Sequence, residues 1–378
     1  MPSSFDEPPE AGCSPMHPQL SSSARAVTTF FSQALASFKT ASSKLEVICT
    51  APRRPANTSQ NDALSAIPKP LPPRARPSTL IILDSSFNPP TRAHLRMATS
   101  AVLSQARPQE TAQPKEEYAI EVGNGMFGAA RLLLLLSVNN ADKAPKPALF
   151  HQRLVLMWAF AQDVQASLQQ QCNTEIDVDI GLSTLPFFHE KSEAVDQVGF
   201  YHQGPQEGSQ EGMMEQVILV GYDTLIRVLD PKYYGPVATP ESGEPLDKNI
   251  LTAAENDKHE PKTPMQKALE PLFQKARLRV TMRTDDEWGG KEEQLKYLQD
   301  LIRGDDDDEG GGPGLGRIGG SREWAERIEM VGEREVGSEV VSSTYARDAA
   351  KEGNKERLEK MVSDRVGWWV EEQGLYRE

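Results

Sequence analysis

Apolar positions along the chain fall into two kinds of pattern. Short continuous runs at residues 80–83, 132–137 and 217–220 are long enough for buried strands, and five consecutive leucines make the second the most central candidate. Residues 176–182, where apolar positions alternate with Asp177 and Asp179, and residues 278–282 and 328–331 read as three more strands. Between them, apolar residues recur at helical spacing. After Thr91 the stripe is Leu95, Ala98, Ala101 and Val102. Further helices are predicted over 150–168, 269–276, 291–302 and 342–351, with Gly353 suited to the position just past the last. A final amphipathic helix carries Leu358, Val362, Val366, Trp369 and Val370. Strands that alternate with helices in this way read as one α/β domain.

The remaining stretches are polar. Residues 1–22 are rich in Pro and Ser and are expected to be disordered. Ala26, Phe30, Leu35, Phe38 and Leu45 sit near helical spacing, so a helix packed on the core is expected within 24–47. An extended connector is expected over 50–78, which would start the folded domain at 79 and carry it to 378. Polar insertions are expected at 107–117, 236–262 and 304–320. Two glycine patterns match a dinucleotide fingerprint formally. Gly123, Gly125 and Gly128, with Asp142 beyond, precede a run too short and too uniformly apolar for the required helix, so they read as an approach loop. Gly314, Gly316 and Gly319 follow four aspartates that would repel a pyrophosphate, so they read as a flexible linker.

Composition narrows the function. A net charge of −14 argues against a general nucleic-acid binder, which needs a basic surface. It leaves room for a nucleotide site, which needs only a few local cations. Cys13, Cys49 and Cys172 lack metal-ligand or disulfide spacing, which fits a reducing compartment, and no metal site is expected. No apolar run approaches the roughly 18 residues of a membrane span. Asp6, Glu7 and Glu10, with no apolar segment beside them, do not read as a signal or transit peptide. The expectation is a soluble protein of the cytoplasm, or also of the nucleus, that engages neither nucleic acid nor membrane.

The chemistry concentrates in residues 79–98. The apolar strand gives way to Asp84-Ser85-Ser86-Phe87-Asn88-Pro89-Pro90, where two prolines lack amide donors, and Thr91 then offers a cap for a helix. Amides of such a loop and helix start converge on one spot that suits an anion. His94 lies one turn in, on the side of Thr91. The run S-F-N-P-x-T-x-x-H resembles the (H/T)-x-x-H signature of the nucleotidylyltransferase superfamily, and its Ser-Phe-Asn-Pro lead resembles the nicotinamide and nicotinate mononucleotide adenylyltransferases. A second signature of that superfamily, S-x-T-x-x-R, is matched by Ser342-Ser343-Thr344-Tyr345-Ala346-Arg347. The long polar insertions suggest a divergent fungal-type relative.

The resemblance implies a Rossmann-like, doubly wound parallel sheet and transfer of AMP from ATP to a mononucleotide, with release of pyrophosphate. His94 and Arg347 would be catalytic. Ser86, Phe87, Thr91 and His94 would hold ATP from one side, and Ser342, Ser343, Thr344 and Arg347 from the other, each helix start supplying hydroxyls and a cation one turn in. Magnesium would be held chiefly by the ATP phosphates. The mononucleotide would meet Lys143, then Phe187 or Phe188 as a stacking ring, then Gly221 and Asp223, Tyr233 and Tyr234, and Arg283. Arg153 falls where relatives often carry an arginine, though a surface ion pair is as good a reading. Two departures stand out: no Trp occupies the stacking position, and Ser85 replaces a glycine of many relatives, where it could crowd the loop. Two other readings stay open, namely a different transferase of the superfamily, such as a cytidylyltransferase, and a catalytically weak ATP-binding or ATP-hydrolysing regulatory protein.

Overall fold

The computed structural model describes residues 22–53, 68–106, 130–138, 147–202, 214–235, 262–283, 288–304, 314–332 and 340–377. The leader before residue 22, the stretches 107–117 and 236–261, the acidic run, the first glycine pattern with Asp142, and Lys143 lie outside these residues.

Among the described residues seven strands form one sheet. They are β1 (Leu45–Ala51), β2 (Thr79–Asp84), β3 (Ala130–Ser137), β4 (Val178–Ser183), β5 (Glu215–Gly221), β6 (Ala276–Thr281) and β7 (Ile328–Val331), in the order β1-β4-β3-β2-β5-β6-β7. All neighbours are parallel except β1, which runs antiparallel to β4 at the edge. From β2 the chain builds outward through β3 and β4, then returns to lay β5 against the other side of β2. This is the doubly wound order, with its switch point between β2 and β5. The fold is α/β and Rossmann-like.

The central strands are buried on both faces, and period-two alternation sorts their side chains. Ile81, Leu83, Leu132, Leu134, Val217 and Leu219 face one helical layer: α1 (Ser22–Thr40), α2 (Arg92–Ala106), α3 (Phe150–Cys172), α8 (Ser343–Lys351), α9 (Lys355–Met361) and α10 (Asp364–Glu372). Leu80, Ile82, Leu133, Leu135, Ile218 and Val220 face the other: α4 (Phe188–Gln197), α5 (Tyr222–Val228), α6 (Pro264–Lys275) and α7 (Lys291–Arg303). Gly181 in β4 sits in a tight space; a Cβ would lie 3.1 Å from a Leu135 methyl and 3.3 Å from the Glu46 carbonyl of β1.

Four expectations need correction. The domain does not start at 79: α1 ends at Thr40, and Leu45, read as part of its stripe, opens β1 instead. The run Leu45–Ala51 carries two β-branched aliphatic residues and Thr50, and it completes the sheet by covering the β4 edge. Helix α3 is not amphipathic in the usual sense. Residues 153–164 are buried throughout, because α1, α2 and α10 close around it. Residues 314–320 are not a flexible linker; they form turns that bury Leu315 fully, and the Gly320 amide donates to the Leu315 carbonyl at 2.8 Å. The final helix is two helices. Ser363 breaks it in extended conformation, and the freed amides of Arg365 and Val366 donate to Asp163 of α3 at 3.1 and 3.4 Å.

Candidate active site

A cleft of about 570 Å³ opens at the carboxyl ends of β2 and β5, where a doubly wound sheet places its ligands. Its walls come from both signature stretches. Asp84, Ser85, Thr91 and His94 line one side, Ser342, Ser343 and Thr344 another, and Gly221, Asp223, Thr281 and Arg283 a third.

The His94 side begins where β2 runs out. The Ser85 amide still donates to the Leu135 carbonyl of β3 at 3.2 Å, and then the chain turns sharply through Phe87, whose φ of +45° lies in the left-handed region. Phe87 is fully buried, its ring 5.8 Å from the His94 ring and 6.3 Å from Phe160, so it supports the imidazole from below. Thr91 then starts α2. Its amide donates to His94 Nδ1 at 3.1 Å and its hydroxyl lies 2.8 Å from the same nitrogen. A backbone amide can only donate, so Nδ1 is an acceptor and the ring hydrogen sits on Nε2. Nε2 is 3.0 Å from Ser85 Oγ. Burial, with the nearby Arg283 charge, lowers the His94 pKa to about 4. The residue expected as a cation is therefore a neutral donor at physiological pH.

The second side is the start of α8. The Ser342 hydroxyl caps it by accepting from the Tyr345 amide at 3.1 Å. Two contacts weld it to the first loop, 254 and 259 residues away in sequence. Ser343 Oγ donates to the Pro89 carbonyl at 2.8 Å, and Arg347 Nη1 donates to the Asn88 carbonyl at 2.9 Å. Arg347 Nη2 donates to Thr344 Oγ1 at 3.0 Å. The Tyr376 hydroxyl, near the end of the chain, donates to Asn88 Oδ1 at 3.0 Å.

The floor carries two carboxylates, each matched to cations. Asp84 pairs with Lys191 of α4, both side chains being only 8% exposed, and Lys191 also lies 5.4 Å over the Phe188 ring. Burial raises the Asp84 pKa, and Lys191 pulls it partly back. Asp223 pairs with Arg227 and lies 3.6 Å from Arg283. Gly221 makes this possible, since a Cβ there would sit 2.7 Å from Asp223 Oδ1.

The chain has similarity to known proteins. A curated protein of Schizosaccharomyces pombe named "Putative nicotinamide mononucleotide adenylyltransferase" is 27% identical over 287 residues, which are 76% of this chain and 82% of that one. The chain resembles the mononucleotide adenylyltransferases. No protein-family model matches it. Two solved structures of Plasmodium falciparum nicotinic acid mononucleotide adenylyltransferase, complexed with NaAD and with APC, each cover 79% of this chain and 97% of their own, at 12% and 11% identity and a TM-score of 0.37.

The residues singled out by the mononucleotide adenylyltransferase resemblance divide into three groups. Thr91, His94, Ser342, Ser343, Thr344, Phe188, Gly221, Asp223 and Arg283 line the cleft. Phe187, Tyr233 and Tyr234 do not. They line an adjoining cavity of about 270 Å³ that shares Phe188 and Thr224 with the cleft, and there His189 stacks on Phe187 at 5.5 Å. Ser86, Phe87 and Arg347 do not line the cleft: Ser86 is exposed, Phe87 is core, and Arg347 reaches the cleft through Thr344. Arg153 is not a surface residue; it is buried, its Nε donates to the Ala148 carbonyl at 3.0 Å, and it lies 5.0 Å over Phe150. Sequence reasoning missed Asp84 and Lys191 as a pair and His189 as an aromatic neighbour, because each depends on contacts between distant segments. It also took Ser85 for a steric fault, where its hydroxyl is a hydrogen-bond partner.

Proposed function

We propose that this protein is a nicotinamide-nucleotide adenylyltransferase, joining the AMP of ATP to nicotinamide or nicotinate mononucleotide to give NAD, or its acid form, and pyrophosphate. The observation that carries the reading is the convergence of both signature stretches on one cleft at the switch point. Two helix starts, α2 and α8, border the same space, and helix N-termini favour the anionic phosphates of a triphosphate.

The reaction needs no protein nucleophile. An oxygen of the mononucleotide phosphate attacks the α-phosphorus of ATP, the bond to the β-phosphate oxygen breaks, and pyrophosphate leaves. The obstacle is the meeting of two anions and the charge that builds on the leaving oxygens. Preorganised donors are the remedy. His94 holds its neutral N–H against Ser85 on the cleft wall, Ser342 and Thr344 contribute hydroxyls, and Arg347 adds positive charge one turn into α8. Arg283 stands across the cleft beside Asp223. Neither cleft carboxylate stands free of a cationic partner, and no cluster of three metal-ligating side chains occurs among the described residues, so magnesium would arrive on the ATP phosphates and remain part of the substrate. The mononucleotide base would enter the adjoining aromatic cavity, where a flat ring can stack on Phe187 or Tyr233.

The test is direct. Purified protein with ATP, magnesium and either mononucleotide should form the dinucleotide and pyrophosphate in equal amounts. Runs with CTP, and with phosphopantetheine as acceptor, examine the wider superfamily. ATP hydrolysis with no dinucleotide from any acceptor would instead favour the regulatory reading.

A further inference from the structure

The two signature side chains share a geometry that points to an unexpected contact residue. On the α8 side, Arg347 Nη2 donates to Thr344 Oγ1, and it is Thr344 that lines the cleft. On the α2 side, His94 Nε2 faces Ser85 Oγ at 3.0 Å, and Ser85 also lines the cleft. Because Thr91 donates its amide to Nδ1, the Nε2 hydrogen is the only one the neutral ring has. It is directed at Ser85 Oγ, which must accept it. A hydroxyl that accepts from one side turns its own hydrogen elsewhere. Among the described residues no other side chain or carbonyl accepts that hydrogen, and Ser85 lines the cleft. Its backbone is fixed by the hydrogen bond that its amide donates to the Leu135 carbonyl, which holds the residue at the cleft wall.

We propose that Ser85 is itself a phosphate-contacting residue: it takes the imidazole's single N–H and presents its own O–H to an anionic oxygen in the cleft, so that His94 acts through it. His94 is then a positioning residue that orients and polarises the Ser85 hydroxyl. This rests on the reading of the cleft as a triphosphate site. The serine would substitute for the direct imidazole contact that a smaller residue would allow.

The experiment is calorimetric binding of ATP and of inorganic tripolyphosphate to the full chain and its variants, alongside the dinucleotide assay. Ser85→Ala should weaken triphosphate binding by about 10-fold, the loss of one hydrogen bond to a charged group. Ser85→Gly should recover part of the loss, because the imidazole N–H then meets the phosphate itself. His94→Ala should cost far less in the Ser85→Ala background than in the wild type, as for two groups acting as a unit. Nitrogen NMR of labelled imidazole, assigned by its loss in His94→Ala, should show the Nε2-protonated tautomer. Wild-type affinity in Ser85→Ala, additive losses in the double variant, a ring protonated on Nδ1, or no triphosphate binding by the wild type would each overturn the proposal. Binding with this pattern but no dinucleotide product would leave Ser85 in place and remove the adenylyltransferase reading alone.

Discussion

Replacing Lys191 with Met removes the ammonium group that lies over the Phe188 ring and keeps most of the aliphatic stem. The partner left behind is Asp84, whose carboxylate is 8% exposed and belongs to the strand end that shapes the cleft. Removing one member of a buried ion pair costs about 3–5 kcal/mol, because the other charge stays desolvated. At roughly 2–4 °C per kcal/mol for a domain of this size, the melting temperature should fall by about 10 °C. Protonation offers Asp84 a way out, and that gives the prediction its sign. Burial already holds the folded carboxyl above its ordinary range, so the folded state binds this proton more tightly than the unfolded state. The stability linked to Asp84 is therefore greatest below the ordinary carboxyl range and is lost as pH rises through the raised folded value. Without Lys191 only the burial remains, and the window moves upward. Urea denaturation of Lys191→Met and wild type at pH 5 and pH 8 should show a deficit that is larger at pH 8. A deficit under about 1 kcal/mol, or one equal at both pH values, would refute the reasoning.

Three further outcomes follow from contacts described above. His94→Ala and Arg347→Ala should each lower dinucleotide formation by about 10²-fold with melting temperatures little changed, as measured by initial rates and scanning calorimetry. Gly181→Ala should destabilise by about 1–3 kcal/mol in urea titration, because its methyl meets Leu135, Leu133 and the Glu46 carbonyl at 3.1 to 3.3 Å. Asp163→Ala leaves the Arg365 and Val366 amides without acceptors and breaks an ion pair to Arg365 of 2.8 Å; it should cost about 2–4 kcal/mol and raise hydrogen exchange across α10.

Much of the frame was legible in sequence because the central strands are buried on both faces. Such strands read as unbroken apolar runs, and residues 80–83, 132–137 and 217–220 are unambiguous on that ground. The errors arose where one spacing serves two structures. Leu45 continues the helical rhythm of α1 and also opens a strand, and Val362 and Val366 are four apart whether or not Ser363 breaks the helix between them. Length was the overlooked signal for β1: seven residues with one charge fit a strand better than the end of a helix. Thr91 and Ser342 were legible as helix starts because capping chemistry is local, while His94, Ser343 and Thr344 were singled out by the resemblance of their motifs; all five line the cleft. The Asp84–Lys191 pair spans 107 residues, and no local pattern announces it. The charge of His94 was misjudged because burial and the Thr91 amide, not residue type, decide its protonation.

The bonds from Ser343 to Pro89 and from Arg347 to Asn88 also set a timetable for synthesis. At about 5–20 residues per second, residues 342–347 leave the ribosome roughly 10–50 s after the loop they clasp. Until then a nascent chain displays the His94 half of its grip with nothing opposite. On the proposed function, ATP would stabilise the finished chain by mass action but not the growing one. If the cleft binds triphosphate as proposed, truncation anywhere upstream of residue 342 should abolish that binding.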